Sequence, residues 1–172
     1  MWDEIDRGLA DELLIYRNFA RNALATANAD GRLPPSAIVD RIISLLERAY
    51  VDAAEKKQTL ALVASDALTA RHRERLMDLL ETGSLGEIED SLIERLARFD
   101  DAVDRALRWI ESHYETKPDV GDSFYRILAR RIGKRPPPPR DLIERLRRVS
   151  QAHAAQSPWA RTVYVDITGR QP

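Results

Sequence analysis

The 172-residue sequence contains no cysteine, which excludes thiol nucleophiles, disulfides, Cys-ligated zinc and thiol redox switching. Imidazole is nearly as scarce, because the three histidines, His72, His113 and His153, stand about forty residues apart. That spacing offers none of the i, i+4 pairs from which helix-borne metal sites are built. The closest cluster, Glu111, His113 and Glu115, runs at intervals of two, so on a helix the imidazole points away from both carboxylates. No metal and no cofactor are expected. The seven glycines form neither a Walker A loop nor a dinucleotide fingerprint, and no serine sits in a Gly-x-Ser-x-Gly frame. No catalytic residue can be named, and a non-enzymatic protein is the expectation.

Long apolar runs are also missing. Charges interrupt every hydrophobic stretch well short of the roughly 20 residues that span a bilayer, so no membrane partner is expected. The first twelve residues hold Asp3, Glu4, Asp6, Asp11 and Glu12, the reverse of a basic secretory n-region, and a cytoplasmic location is expected. What is present is 44% hydrophobic and 32% charged residues, a composition suited to one compact domain or one with a small appendage. The 23 Arg against 4 Lys fit a GC-rich bacterial genome and carry no functional reading.

Helical periodicity dominates the chain. Ile5, Leu9, Leu13, Tyr16, Ala20, Ala23 and Ala27 step by three or four and predict one amphipathic helix from Asp3 to about Asn28, with Leu14, Ile15 and Phe19 widening its apolar face toward a second neighbour. Asp30-Gly31 and Pro34-Pro35 end it, and Ser36 is expected to cap the next. Ser36 to Glu81 lacks Gly and Pro, with a break expected near the polar stretch Asp52 to Thr59. Ser84 and Glu87 have capping-box spacing. The helix they introduce, to about Glu115, places Leu92, Leu96, Phe99, Val103, Ala106, Ile110 and His113 at alternating intervals of four and three. This heptad seam either packs inside the chain's own bundle, the favoured reading, or joins two copies.

A shorter helix is expected to Ile132, with Phe124, Ile127 and Leu128 inward, followed by the Pro136 to Pro139 tetrad as a stiff polyproline spacer. Asp141 and Glu144 mark another helix start, with Leu142, Ile143, Leu146 and Val149 on its apolar face to about Ala155. Val163, Val165 and Ile167 alternate with Tyr164, Asp166 and Thr168, a period-two, β-branched pattern that predicts a strand. The expected fold is therefore all-α, a bundle of about five or six helices with a C-terminal extended arm or single β-strand. Its parts are an acidic helical bundle at 1–117, a basic helical hairpin at 118–156 packed on the same domain, and an extended arm at 157–172.

The net charge of −1 conceals an asymmetry: residues 1–120 carry 16 Lys+Arg against 24 Asp+Glu, and residues 121–172 carry 11 against 4. Arg126, Arg130, Arg131, Lys134, Arg135, Arg140, Arg145, Arg147 and Arg148 form a basic stripe opposed only by Asp141 and Glu144. Such a stripe either lies against the acidic helices of this chain or of a second copy, the favoured reading, or tracks the phosphates of a nucleic acid. The tail residues Val163, Tyr164, Val165 and Ile167 either dress the bundle or add a strand to a partner's sheet. Together these features predict a helical adaptor or accessory subunit that works through protein–protein contact or self-association. The alternative is a nucleic-acid-associated subunit.

Overall fold

The computed structural model describes residues 2–32, 34–63, 65–83, 85, 88–132 and 139–169. Ten α-helices and no strand occur among them: α1 Trp2–Ala10, α2 Leu14–Ala29, α3 Pro35–Leu46, α4 Ala53–Leu60, α5 Ala70–Glu81, α6 Glu89–Leu96, α7 Asp100–His113, α8 Pro118–Ile132, α9 Arg140–His153 and α10 Pro158–Thr168, with a 3-10 turn at Ser65–Ala67. The chain forms two compact units, Met1–Ile88 and Glu89–Pro172. All-helical architecture is as expected; the count of five or six helices is not, because the first and the heptad stretches each break, the middle one breaks twice, and the tail is a helix.

In the first unit the expected single helix folds back on itself after Ala10. Asp11 Oδ1 accepts from the Leu13 amide at 2.8 Å in the connecting turn. Gly8 permits the return, since a Cβ there would lie 2.8 Å from Ala20 Cβ. Ile5 and Leu9 of α1 and Ala20, Leu24 and Ala27 of α2 are buried, so the continuous stripe serves two helices packed together. The next stretch breaks on both sides of Asp52–Thr59, where a single break near it was expected. Asp52 caps α4 by accepting from the Glu55 amide at 2.7 Å, and Thr69 and His72 form a capping box for α5. Nor does Ser36 cap α3; Pro34 is the cap residue, with Pro35 at the first helical position. Helix α3 touches α1, α2, α4 and α5. Six of its residues, Ile38, Val39, Ile42, Ile43, Leu45 and Leu46, are accordingly buried, as an element surrounded by neighbours requires.

In the second unit the heptad helix divides at Ala97–Phe99, with Phe99 extended as the residue before α7. Asp100 and Asp101 occupy the first turn of α7, where the partial positive charge of a helix N-terminus favours them. Pro139 precedes α9 without a side-chain cap, so Asp141 lies within the helix instead of starting it. The Ser84/Glu87 box, Gly133, Lys134, Arg135 and Pro136 to Pro138 lie outside the described residues.

The C-terminal strand is corrected to a helix. Ser157 Oγ accepts from the Ala160 amide at 3.0 Å, Pro158 takes the first turn, and Gly169 ends α10 at φ 66°. Ala160, Val163 and Tyr164 are buried where α10 packs on α8 and α9. Those positions have three-and-four spacing, which overlaps the alternation of Val163, Val165 and Ile167. Packing and caps outweigh the few tenths of a kcal/mol that each β-branched residue costs a helix.

Gly121 of α8 is met by the Cδ2–Cε2 edge of the Tyr114 ring; an added Cβ would sit 2.4 Å from Cδ2. The ring is fixed by stacking on His153, with centroids 4.0 Å apart, and by the hydrogen bond its hydroxyl donates to Asp122 at 3.1 Å. Gly121→Ala should therefore destabilise by about 1–2 kcal/mol by overpacking, against the roughly 1 kcal/mol gain expected from helix propensity alone. Urea unfolding of the variant checks the sign.

Candidate interaction surface

Two arginines, Arg17 and Arg21, are the only charged residues of α2, and both are drawn to α4. Arg17 Nε and Nη2 donate to the two oxygens of Glu55 at 2.9 Å each. Its Nη1 donates to the carbonyls of Asp11 and Glu12 at 2.8 and 2.6 Å. Arg21 Nη1 donates to the Glu55 carbonyl at 3.2 Å. Arg17 and Glu55 are 5% and 2% exposed, and the bond from Glu55 holds the guanidinium above its ordinary pKa although burial opposes its charge. The pair closes the α1–α2 turn and the α2–α4 contact at once.

With both charges committed to that side, the outer face of α2 is free of charge. Ile15 and Phe19 are 60% and 67% exposed, and Leu13, Leu14, Tyr16 and nearby Tyr50 are exposed too. Along the helix the outward stripe continues with Asn22, Ala23 and Thr26. Leu14, Ile15 and Phe19 thus do not meet the second neighbour expected of them. The signal for an outward site was an excess: residues 13–16 are apolar without interruption, and a helix lying on a core buries only one side of such a run.

The basic stripe of α8 and α9 is largely neutralised inside its own unit. Arg126 pairs with Glu94, Arg131 with Asp100, Arg145 with Asp104, and Arg148 with Glu111 at 3.8 Å. Arg131 Nη1 also donates to the Ala97 carbonyl at 2.7 Å, and Arg147 pairs with Glu144 on its own helix at 3.1 Å. Arg130 and Arg140 are exposed and have no ion-pair partner among the described residues. Residues 89–117, expected with the acidic bundle, therefore pack with the basic helices. By unit, Met1–Ile88 carries 11 Lys+Arg against 15 Asp+Glu and Glu89–Pro172 carries 16 against 13, so net charges of −8 and +7 by sequence segment become −4 and +3.

The other expected surfaces are occupied. Leu92, Leu96, Val103 and Ile110 are at most 1% exposed, and Phe99 is half-buried at the α6–α7 turn, so the seam faces its own unit and presents no oligomer surface. Of the tail residues, Val163 and Tyr164 are buried and Val165 and Ile167 half-buried. A helical segment so packed offers no edge for strand addition.

The histidines serve packing. His72 Nδ1 accepts from the Thr69 amide at 3.2 Å, which leaves the proton on Nε2, 3.3 Å from Asp40 Oδ1. His113 stacks on Trp109 and donates from Nδ1 to the Trp109 carbonyl at 2.8 Å. His153 Nδ1 and the Oη of fully buried Tyr125 form a 2.7 Å hydrogen bond. Burial pushes Tyr125 far above its ordinary pKa and His153 below its own, although Glu111 and Glu115 act on His153 in the opposite sense. Tyr114 is also raised by burial, and it donates to Asp122 at 3.1 Å. No group of three or more potential metal ligands occurs among the described residues, and no helix is long and apolar enough to cross a membrane. Comparison with protein-family models, with curated proteins and with solved structures finds no match.

Two measurements probe these networks. Removing one member of the buried pair by Arg17→Met or Glu55→Leu should cost about 3–5 kcal/mol, and the double replacement should recover most of that loss, because no buried charge is then left alone; denaturant midpoints decide. For His153 the folded pKa lies below the unfolded value near 6.5. The unfolded chain then binds the proton more readily, so stability is whole above about pH 6.5 and declines as pH falls through and below that value. His153→Phe should remove this component of the pH profile, measured as the difference from wild type between pH 7.5 and 5.5 on the order of one titration span.

Proposed function

We propose that the chain is a non-enzymatic helical adaptor or accessory subunit whose contact surface is the outer face of α2. The observation that carries this reading is the exposure of Leu14, Ile15, Tyr16 and Phe19 on one helix whose charges are turned inward. With large side chains offering about 150–250 Å² each, their exposed fractions amount to roughly 450 Å², within the range of the largest apolar patch of a soluble monomer, which is often functional. Water contact at that surface is unfavourable by roughly 25 cal/mol per Å², so a protein partner is the natural occupant. The heptad seam and the C-terminal segment, two other surfaces considered from sequence, are given to intramolecular packing. A nucleic-acid role for residues 126–148 has weaker support, because Arg126, Arg131, Arg145 and Arg148 are paired with carboxylates of the same unit.

The test is affinity capture with wild-type protein and the Ile15→Glu/Phe19→Glu variant as baits. Both side chains are exposed, so the variant should keep its helical circular dichroism and its unfolding midpoint within about 0.5 kcal/mol. It should lose at least tenfold of any stoichiometric protein partner, a second copy included. Equal capture by both baits would overturn the assignment.

A further inference from the structure

We infer that the occupant of this face is a second copy of the chain, joined through an antiparallel α2–α2 contact. The inference rests on the proposed role of α2 as a docking face and names its partner. The outward residues Ile15, Phe19, Asn22 and Thr26 follow one another at intervals of four, three and four. That spacing reads the same in both directions, so two antiparallel copies bring their stripes into register about a two-fold axis between Ala20 and Arg21.

Size follows the same symmetry. The large side chains, Ile15 and Phe19, lie in the N-terminal half and the smaller ones, Asn22, Ala23 and Thr26, in the C-terminal half. In the antiparallel pair Ile15 faces Thr26 of the second copy and Phe19 faces Asn22 and Ala23 of the second copy, so large meets small at each level. A parallel pair would instead oppose Phe19 with Phe19 and set the exposed Glu12 of both copies side by side.

Charge and area are consistent with this occupant. Arg17 and Arg21 are held by Glu55 and its backbone carbonyl, so no like charges confront each other along the stripe. About 450 Å² of exposed apolar surface per copy gives roughly 900 Å² for the pair, the size of a weak, reversible contact. A dimer of modest affinity, with Kd on the order of micromolar, is the corresponding expectation.

The absence of native cysteine makes the geometry directly testable. Positions 15 and 26 on one helix are about 16 Å apart along the axis, beyond the roughly 7 Å Cα limit for an intrachain disulfide. Under mild oxidation the full-length Ile15→Cys/Thr26→Cys double variant should become a covalent dimer, while each single variant should stay uncrosslinked. Sedimentation equilibrium of the wild type should show a concentration-dependent dimer that Ile15→Glu/Phe19→Glu abolishes. Cross-linking of Ile15→Cys alone would overturn the antiparallel arrangement. A wild type that stays monomeric at hundreds of micromolar, with no cross-link in the double variant, would overturn self-association. If the bait variant still loses another stoichiometric protein in that case, the docking role of α2 stands and only its partner is wrong; if neither association is seen, both fall.

Discussion

The buried pair between Arg17 and Glu55 organises the first unit. It joins α2 to α4, and the remaining donors of Arg17 close the turn between α1 and α2 on the carbonyls of Asp11 and Glu12. A guanidinium removed from water needs a carboxylate and further acceptors within reach, or it leaves an unpaired charge in a medium of low polarity. Four of its contacts are satisfied here by one bidentate acid and two carbonyls. The consequence on the other side of the helix is equally important: with Arg17 and Arg21 facing α4, α2 presents Ile15, Phe19 and their neighbours to solvent without a charge among them.

Charge pairing organises the second unit in a different manner. Its inter-helix pairs are partly exposed, and each contributes about 0–1 kcal/mol. They act more on specificity than on stability, since Glu94, Asp100, Asp104 and Glu111 match Arg126, Arg131, Arg145 and Arg148 across the packed helices. The apolar contacts beneath them, including Leu92, Leu96, Val103, Phe124 and Leu146, supply the burial that holds the unit together. Charges that look like a polyanion-binding stripe along the sequence become, in the fold, the complement of acids some thirty to forty residues earlier.

Much of the secondary structure was legible in the chain. The helical character of α1 to α3, α5 to α7, α8 and α9 follows from three-and-four spacing. The turns inside two of the periodic stretches were not legible, because periodicity continues unbroken through a tight reversal: Leu13 keeps step with Leu9 and Tyr16 yet lies at the turn, exposed. The tail misled for a related reason. Val163, Val165 and Ile167 satisfy a strand template, but Ala160, Val163, Tyr164 and Ile167 satisfy a helical one, and the caps at Ser157 and Gly169 agree with the helix.

By itself the sequence determined the helical class, the lack of cysteine chemistry and recognised catalytic motifs, and the overall balance of charge, since each depends only on residue type and near-neighbour spacing. The tertiary structure alone decided which apolar and which charged residues are used up. Burial and ion pairing are relations between distant positions, such as Arg17 with Glu55 or Arg145 with Asp104, and no local pattern encodes them. That distinction turns the heptad seam inward, pairs Arg126, Arg131, Arg145 and Arg148 of the basic stripe with carboxylates, and exposes the apolar residues of α2, which exceed what one buried face can hold.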